Sequence, residues 1–108
     1  MPRRIRKVDK KHLARLADIG CVVCRKLGYG KAPAEYISIH HLRAEMGMGM
    51  RNDDTKAIPL CGPHHQTGGF QYSIHEGQET WESNYGTEEE LLELTLYYLE
   101  LDAQNRVN

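Results

Sequence analysis

The sequence predicts an α+β fold: a small sheet held by a metal knuckle, with one helix before it and one after. Three observations carry this. Two closely spaced ligand pairs, Cys21-x-x-Cys24 and Cys61-x-x-His64, stand a hairpin's length apart, an arrangement that builds tetrahedral zinc sites. Between the pairs, Tyr36-Ile37-Ser38-Ile39-His40 alternates and is rich in β-branched residues, the pattern of a strand with two unlike faces. Beyond them, Thr87-Glu88-Glu89-Glu90 has the form of a capping box. It opens a helix expected to run to about Asp102, with Leu91, Leu94, Tyr98 and Leu101 on one face.

The other elements follow in chain order. Residues 1–8 read as a basic arm and 9–108 as one domain. Asp9 is placed to cap a helix from Lys10 to Asp18, with Leu13, Leu16, Ala17 and Ile19 on one side and Gly20 ending it. Cys21-Val22-Val23-Cys24 is the first half of the knuckle. Residues 25–35, with Gly28, Gly30 and Pro33, read as a loop. Met46-Gly47-Met48-Gly49-Met50 is a connection with little local preference, its methionines covering the hairpin rather than binding a soft metal. Lys56 to Leu60 is a second short strand, irregular at Pro59. A short helix starts at Gly62 or Pro63 and stops before Gly68-Gly69. Trp81, Tyr85, Tyr97 and Tyr98 are assigned to core packing rather than to base stacking.

Composition narrows the function classes. The chain of 108 residues is 40% hydrophobic and 27% charged, the balance of a soluble globular protein. No apolar run approaches the roughly 18 residues of a membrane helix, and the basic N-terminus lacks the apolar core of a signal peptide. Three cysteines exclude a complete disulfide framework and point to cytosolic, metal-binding thiols. The net charge of −1 conceals a strong polarity. Residues 1–56 hold 13 of the 14 Lys/Arg against six acidic groups, a net of +7; residues 57–108 hold Arg106 against nine, a net of −8. A basic half suits a polyanionic partner.

Cys21, Cys24, Cys61 and His64 form a closed shell of four protein ligands, which marks a structural zinc site. Four further histidines flank it: His40, His41, His65 and His75. Adjacent residues on a strand point to opposite faces, so His40 and His41 need not serve one ion. His65 directly follows a zinc ligand, and His75 can return to the same place beyond the Gly68-Gly69 bend. His12 stands apart and reads as incidental.

Ile39-His40-His41-Leu42, Asp54, Pro59-Leu60-Cys61-Gly62-Pro63-His64-His65 and His75 together resemble the HNH (ββα-metal) endonucleases. The closest resemblance is to the Ref (recombination enhancement function) proteins, RecA-dependent nucleases of temperate phages, and it covers roughly Cys21 to Trp81. It implies that His40, His65 and His75 hold a catalytic divalent metal and that His41 is the general base. Asparagine is usual at the middle position of the motif. Here the common register lands on Lys56, which cannot accept a hydrogen bond. Of the nearby acceptors Asn52, Asp53 and Asp54, the Pro-Leu-Cys branch places an aspartate at Asp54, which would orient the base.

Three imidazoles favour zinc, manganese, cobalt or nickel; magnesium serves where phosphate and water complete the shell. DNA is the implied substrate and a RecA filament the implied partner, in the cytoplasm of a bacterial host and encoded by a phage or prophage. Arg3, Arg4, Arg6, Lys7, Lys10, Lys11 and Arg15 would contact phosphates, and Arg43 and Arg51 are further phosphate-contact candidates between which spacing does not choose. The competing classes are a zinc-stabilised nucleic-acid-binding module without catalysis and an adaptor docking through its acidic C-terminal helix. One metal per chain would favour the binding module; two sites favour the nuclease.

Overall fold

The computed structural model describes residues 10–42, 55–69 and 72–106. Its elements are helices α1 (Lys10–Ile19) and α2 (Val22–Leu27), strands β1 (Ile37–His41) and β2 (Ala57–Cys61), and helices α3 (Gln78–Tyr85) and α4 (Glu88–Arg106). A 3-10 turn at Ala34–Tyr36 leads into β1, a π-type turn spans Pro63–Thr67, and a second 3-10 turn spans Ile74–Glu76. The arm, the Asp9 cap and the segment carrying Arg43, the three methionines, Arg51 and Asp54 lie outside the described residues.

The architecture is α+β: a two-stranded antiparallel sheet with helices on both sides. The register pairs His40 with Ile58 and His41 with Ala57. Pro59 lies opposite Ile39, tolerable because in a two-stranded sheet every strand has a free edge for the missing N–H. Strand alternation then divides the core. Ile58 and Leu60 enter a cluster with Cys21, Val22, Val23, Ile74, Trp81 and Leu91. Ala57 joins Leu16, Ile19 and Leu99 beneath α1 and α4.

Several local readings are met and others corrected. α1 buries Leu16 and Ile19, and Gly20 ends it at φ +82°, a left-handed turn that costs a side chain strain. The knuckle is more regular than expected. Residues 22–27, assigned partly to a loop, form α2, because the Cys21 Sγ caps it by accepting from the Cys24 N–H at 3.4 Å. Helix α3 was not expected; it packs Trp81 fully buried, with Tyr85 one turn on and edge-to-face at 5.5 Å.

The capping box forms as drawn: Glu90 N–H donates to Thr87 Oγ1 at 3.1 Å and Thr87 N–H to Glu90 Oε1 at 3.0 Å. The buried stripe of α4, however, is Glu88, Leu91, Thr95 and Leu99 rather than the expected Leu91, Leu94, Tyr98 and Leu101. Leu94 and Tyr98 are half-buried, and Tyr97 is 58% exposed instead of in the core. An ion pair fastens the far end of α4 to α2: Arg25 grips Asp102 through both nitrogens at 2.9 and 3.0 Å, its guanidinium 4.2 Å over the Tyr98 ring.

Candidate metal centres

The first centre joins two segments 37 residues apart in the chain. Cys21 stands between α1 and α2, Cys24 lies in the first turn of α2, Cys61 ends β2, and His64 lies on the turn that follows. Cys24 Sγ lies 3.7 Å from Cys61 Sγ; His64 Nδ1 lies 3.6, 3.5 and 3.1 Å from the sulfurs of Cys21, Cys24 and Cys61. A zinc tetrahedron with Zn–S about 2.3 Å and Zn–N about 2.0–2.1 Å has S···S edges of about 3.8 Å and S···N edges of about 3.5 Å. Three of the four distances match those edges and the fourth is about 0.4 Å short, so the donor set fits zinc.

The electrostatics agree with that fit. Cys61 is held down to about 3, first by the Cys21 S–H it accepts and then by His64, against the opposing effect of burial. Cys21 is pushed up by donating that bond and by burial; burial and the charge of Cys61 push Cys24 up. Three sulfurs this close cannot all be thiolates unless a cation shares their charge. The Tyr85 ring closes the site, 5.2 Å edge-to-face from His64.

The second centre gathers residues from three elements. His40 comes from β1, His65 from the turn after β2, and His75 from the 3-10 turn before α3. One nitrogen of each lies within 4.8 Å of the others, and no described Asp or Glu joins the group. His65 Nε2 and His75 Nε2 are 2.8 Å apart. Two imidazole lone pairs cannot face each other at that distance without a proton or a cation between them.

The two histidine-bearing turns are stapled together. Ser73, fully buried, donates to the Pro63 carbonyl at 2.6 Å and accepts from the Gly68 N–H at 2.7 Å. Gly68 must be glycine here, since a Cβ would stand 2.4 Å from the Pro63 oxygen. Burial is graded: His40 is 3% exposed, His65 half-buried and His75 exposed. The group therefore opens to solvent on one side, as a site that admits a substrate requires.

A scan against protein-family models matches residues 6–100 to the family described as recombination enhancement, RecA-dependent nuclease. The chain belongs to this family. No curated protein and no solved structure matches the chain.

For a RecA-dependent nuclease the other expected residues fall as follows. His41 follows His40 on β1, half-buried and by alternation on the opposite face. Lys56 is exposed, and Asp54 with its neighbours Asn52 and Asp53 lies outside the described residues. Lys10, Lys11 and Arg15 are exposed on α1; Arg3, Arg4, Arg6, Lys7, Arg43 and Arg51 are outside the described part. Among the described residues no helix is long and apolar enough to cross a membrane.

One residue escaped the sequence reading. Glu88 is 1% exposed, and its Oε2 lies 2.6 Å from His40 Nε2. The available signal was its place one helical repeat before Leu91, Thr95 and Leu99.

Proposed function

We propose that the chain is an HNH (ββα-metal) endonuclease that hydrolyses DNA phosphodiesters on RecA-coated DNA. It would act in the cytoplasm of a bacterial host and be phage- or prophage-encoded. The observation that carries the reading is the convergence of His40, His65 and His75 on one open group, within a chain of a nuclease family. The order β1, β2 and then the π-type helical turn at Pro63–Thr67 supports the ββα reading.

Cys21, Cys24, Cys61 and His64 would hold a structural zinc that fixes the turn bearing His65. His40, His65 and His75 would hold a catalytic divalent ion: zinc, manganese, magnesium, cobalt or nickel. When bound there, such an ion relieves negative charge on the phosphate and on the leaving O3′. His41 acts as general base, taking a proton from the water that attacks phosphorus. Asp54 accepts from the other ring nitrogen of His41, which keeps the lone pair directed at the water. The P–O3′ bond breaks, giving 5′-phosphate and 3′-hydroxyl ends. Lys10, Lys11 and Arg15 on α1 and the arm residues Arg3, Arg4, Arg6 and Lys7 contact phosphates without sequence choice, with Arg43 and Arg51 beside them.

Purified protein tests this on plasmid DNA with and without RecA filaments. His40→Ala is expected to lose the catalytic ion. His41→Ala keeps both metals and binds DNA, yet cleaves about 10²–10⁴-fold more slowly, the usual worth of a positioned base. Normal cutting by both variants would place the active site elsewhere.

A further inference from the structure

We propose that Glu88 is a positioning residue for the histidine metal centre, acting through His40; the inference rests on the metal-site reading above. Glu88 opens α4, 48 residues beyond His40 in the chain. Its carboxylate meets His40 Nε2 at 2.6 Å, with the two side chains 1% and 3% exposed.

The backbone that carries Glu88 is held by two further sets of contacts. The capping box at Thr87 and Glu90 sets the first turn of α4. The Glu88 N–H itself donates to Glu82 Oε2 on α3 at 2.8 Å. Glu88 is therefore fixed by backbone contacts that do not involve the histidines.

The chemistry asks what such a group does. A carboxylate removed from water is strongly unfavourable unless its charge is compensated. The start of α4 contributes a partial positive charge, but the Glu82 carboxylate is a second anion close by. An imidazole whose other nitrogen binds a divalent cation supplies compensation, because the cation polarises the ring.

The same contact defines the ring. A carboxylate can only accept, so Nε2 carries the hydrogen and Nδ1 keeps its lone pair for the ion. Glu88 meets the ring at Nε2 and is not a member of the three-histidine group. Its role is thus to orient the ring, select the tautomer and make His40 a stronger donor. It does not touch the substrate.

The test uses full-length, zinc-loaded protein and Mn²⁺, which competes poorly for thiolates. Binding is followed by the electron paramagnetic resonance signal of free Mn²⁺. Wild type is expected to bind one Mn²⁺. Glu88→Gln should bind it about 10-fold more weakly, within the usual 10–100-fold worth of such partners. Its zinc content and melting curve without Mn²⁺ should be unchanged. Glu88→Asp, which keeps the charge at a shorter reach, should fall between them and serves if the glutamine variant fails to fold.

Unchanged Mn²⁺ affinity in Glu88→Gln would overturn the proposal while leaving the site intact. Failure of wild type to bind Mn²⁺ would instead remove the site itself, and the role of Glu88 with it.

Discussion

Replacing Cys61 with serine tests whether the first centre holds the fold together. Cys61 ends β2 and lies 3.7 Å from Cys24 Sγ and 3.1 Å from His64 Nδ1, so its loss removes one vertex of the ligand tetrahedron and the three edges that meet there. Cys21, Val22 and Val23, all fully buried, reach the core cluster through the same knuckle. A structural zinc contributes about 10–16 kcal/mol of folding free energy in zinc-finger peptides, as much as the whole stability of about 5–15 kcal/mol of an ordinary domain. Even a hundredfold loss of zinc affinity costs about 2.7 kcal/mol. For a chain of this size that lowers Tm by about 10–20 °C; complete loss unfolds it.

The assay pairs zinc content by mass spectrometry with thermal melting in near-ultraviolet circular dichroism. Both are done in a His40→Ala background, so that the histidine centre contributes no ion. Trp81 makes the signal specific, since it contacts Tyr85, whose ring lies against His64. A Cys61→Ser protein that keeps one zinc and melts within a few degrees of its parent would refute the structural role of this site.

Deleting residues 1–8 removes Arg3, Arg4, Arg6 and Lys7. If each contacts a phosphate, DNA binding weakens and the log–log salt slope falls by up to about 3.6, while cleavage at saturating protein survives; unchanged affinity at two salt concentrations would deny the arm a role. Thr87→Ala removes the hydroxyl that caps α4 and should cost about 0.5–2 kcal/mol, read by urea unfolding. The Thr87 backbone and side chain hold the Glu90 carboxyl below its usual value. Its share of stability is therefore present above the unfolded value and lost as pH falls through the lower folded one, so the urea midpoint of wild type should drop more than that of Glu90→Gln on acidification across that range. Asp102→Ala leaves Arg25 without its bidentate partner and should cost about 1.5–3 kcal/mol, with helix α4 exchanging its amide hydrogens faster near that end.

Much of this molecule was legible in its sequence, for a local reason. Ligand pairs two residues apart, a period-two strand before His40 and a Thr-x-x-Glu cap are short-range patterns, and short-range sterics and hydrogen bonds realise them wherever the chain goes. The grouping of Cys21, Cys24, Cys61 and His64, along with α1, both strands and the start of α4, was therefore readable to within a residue or so. The family resemblance, too, rested on motifs that are contiguous in the chain.

Other features needed the tertiary structure, because they depend on rotation and on distant packing. Helix α2 exists because a cysteine sulfur caps it, a role that spacing alone assigned only to metal binding. The buried face of α4 is set by how the helix rolls onto α1, α2 and β2, which moved the stripe from Leu94 and Tyr98 to Glu88, Thr95 and Leu99. Among three consecutive glutamates in a first helical turn, each has an ordinary reason to be there. Only the packing of β1 against that turn distinguishes Glu88, bringing it within 2.6 Å of His40 and away from water. The meeting of His40, His65 and His75 is likewise a product of sheet register and of the Ser73 staple, since nothing in a one-dimensional spacing determines the distance between turns that follow different strands.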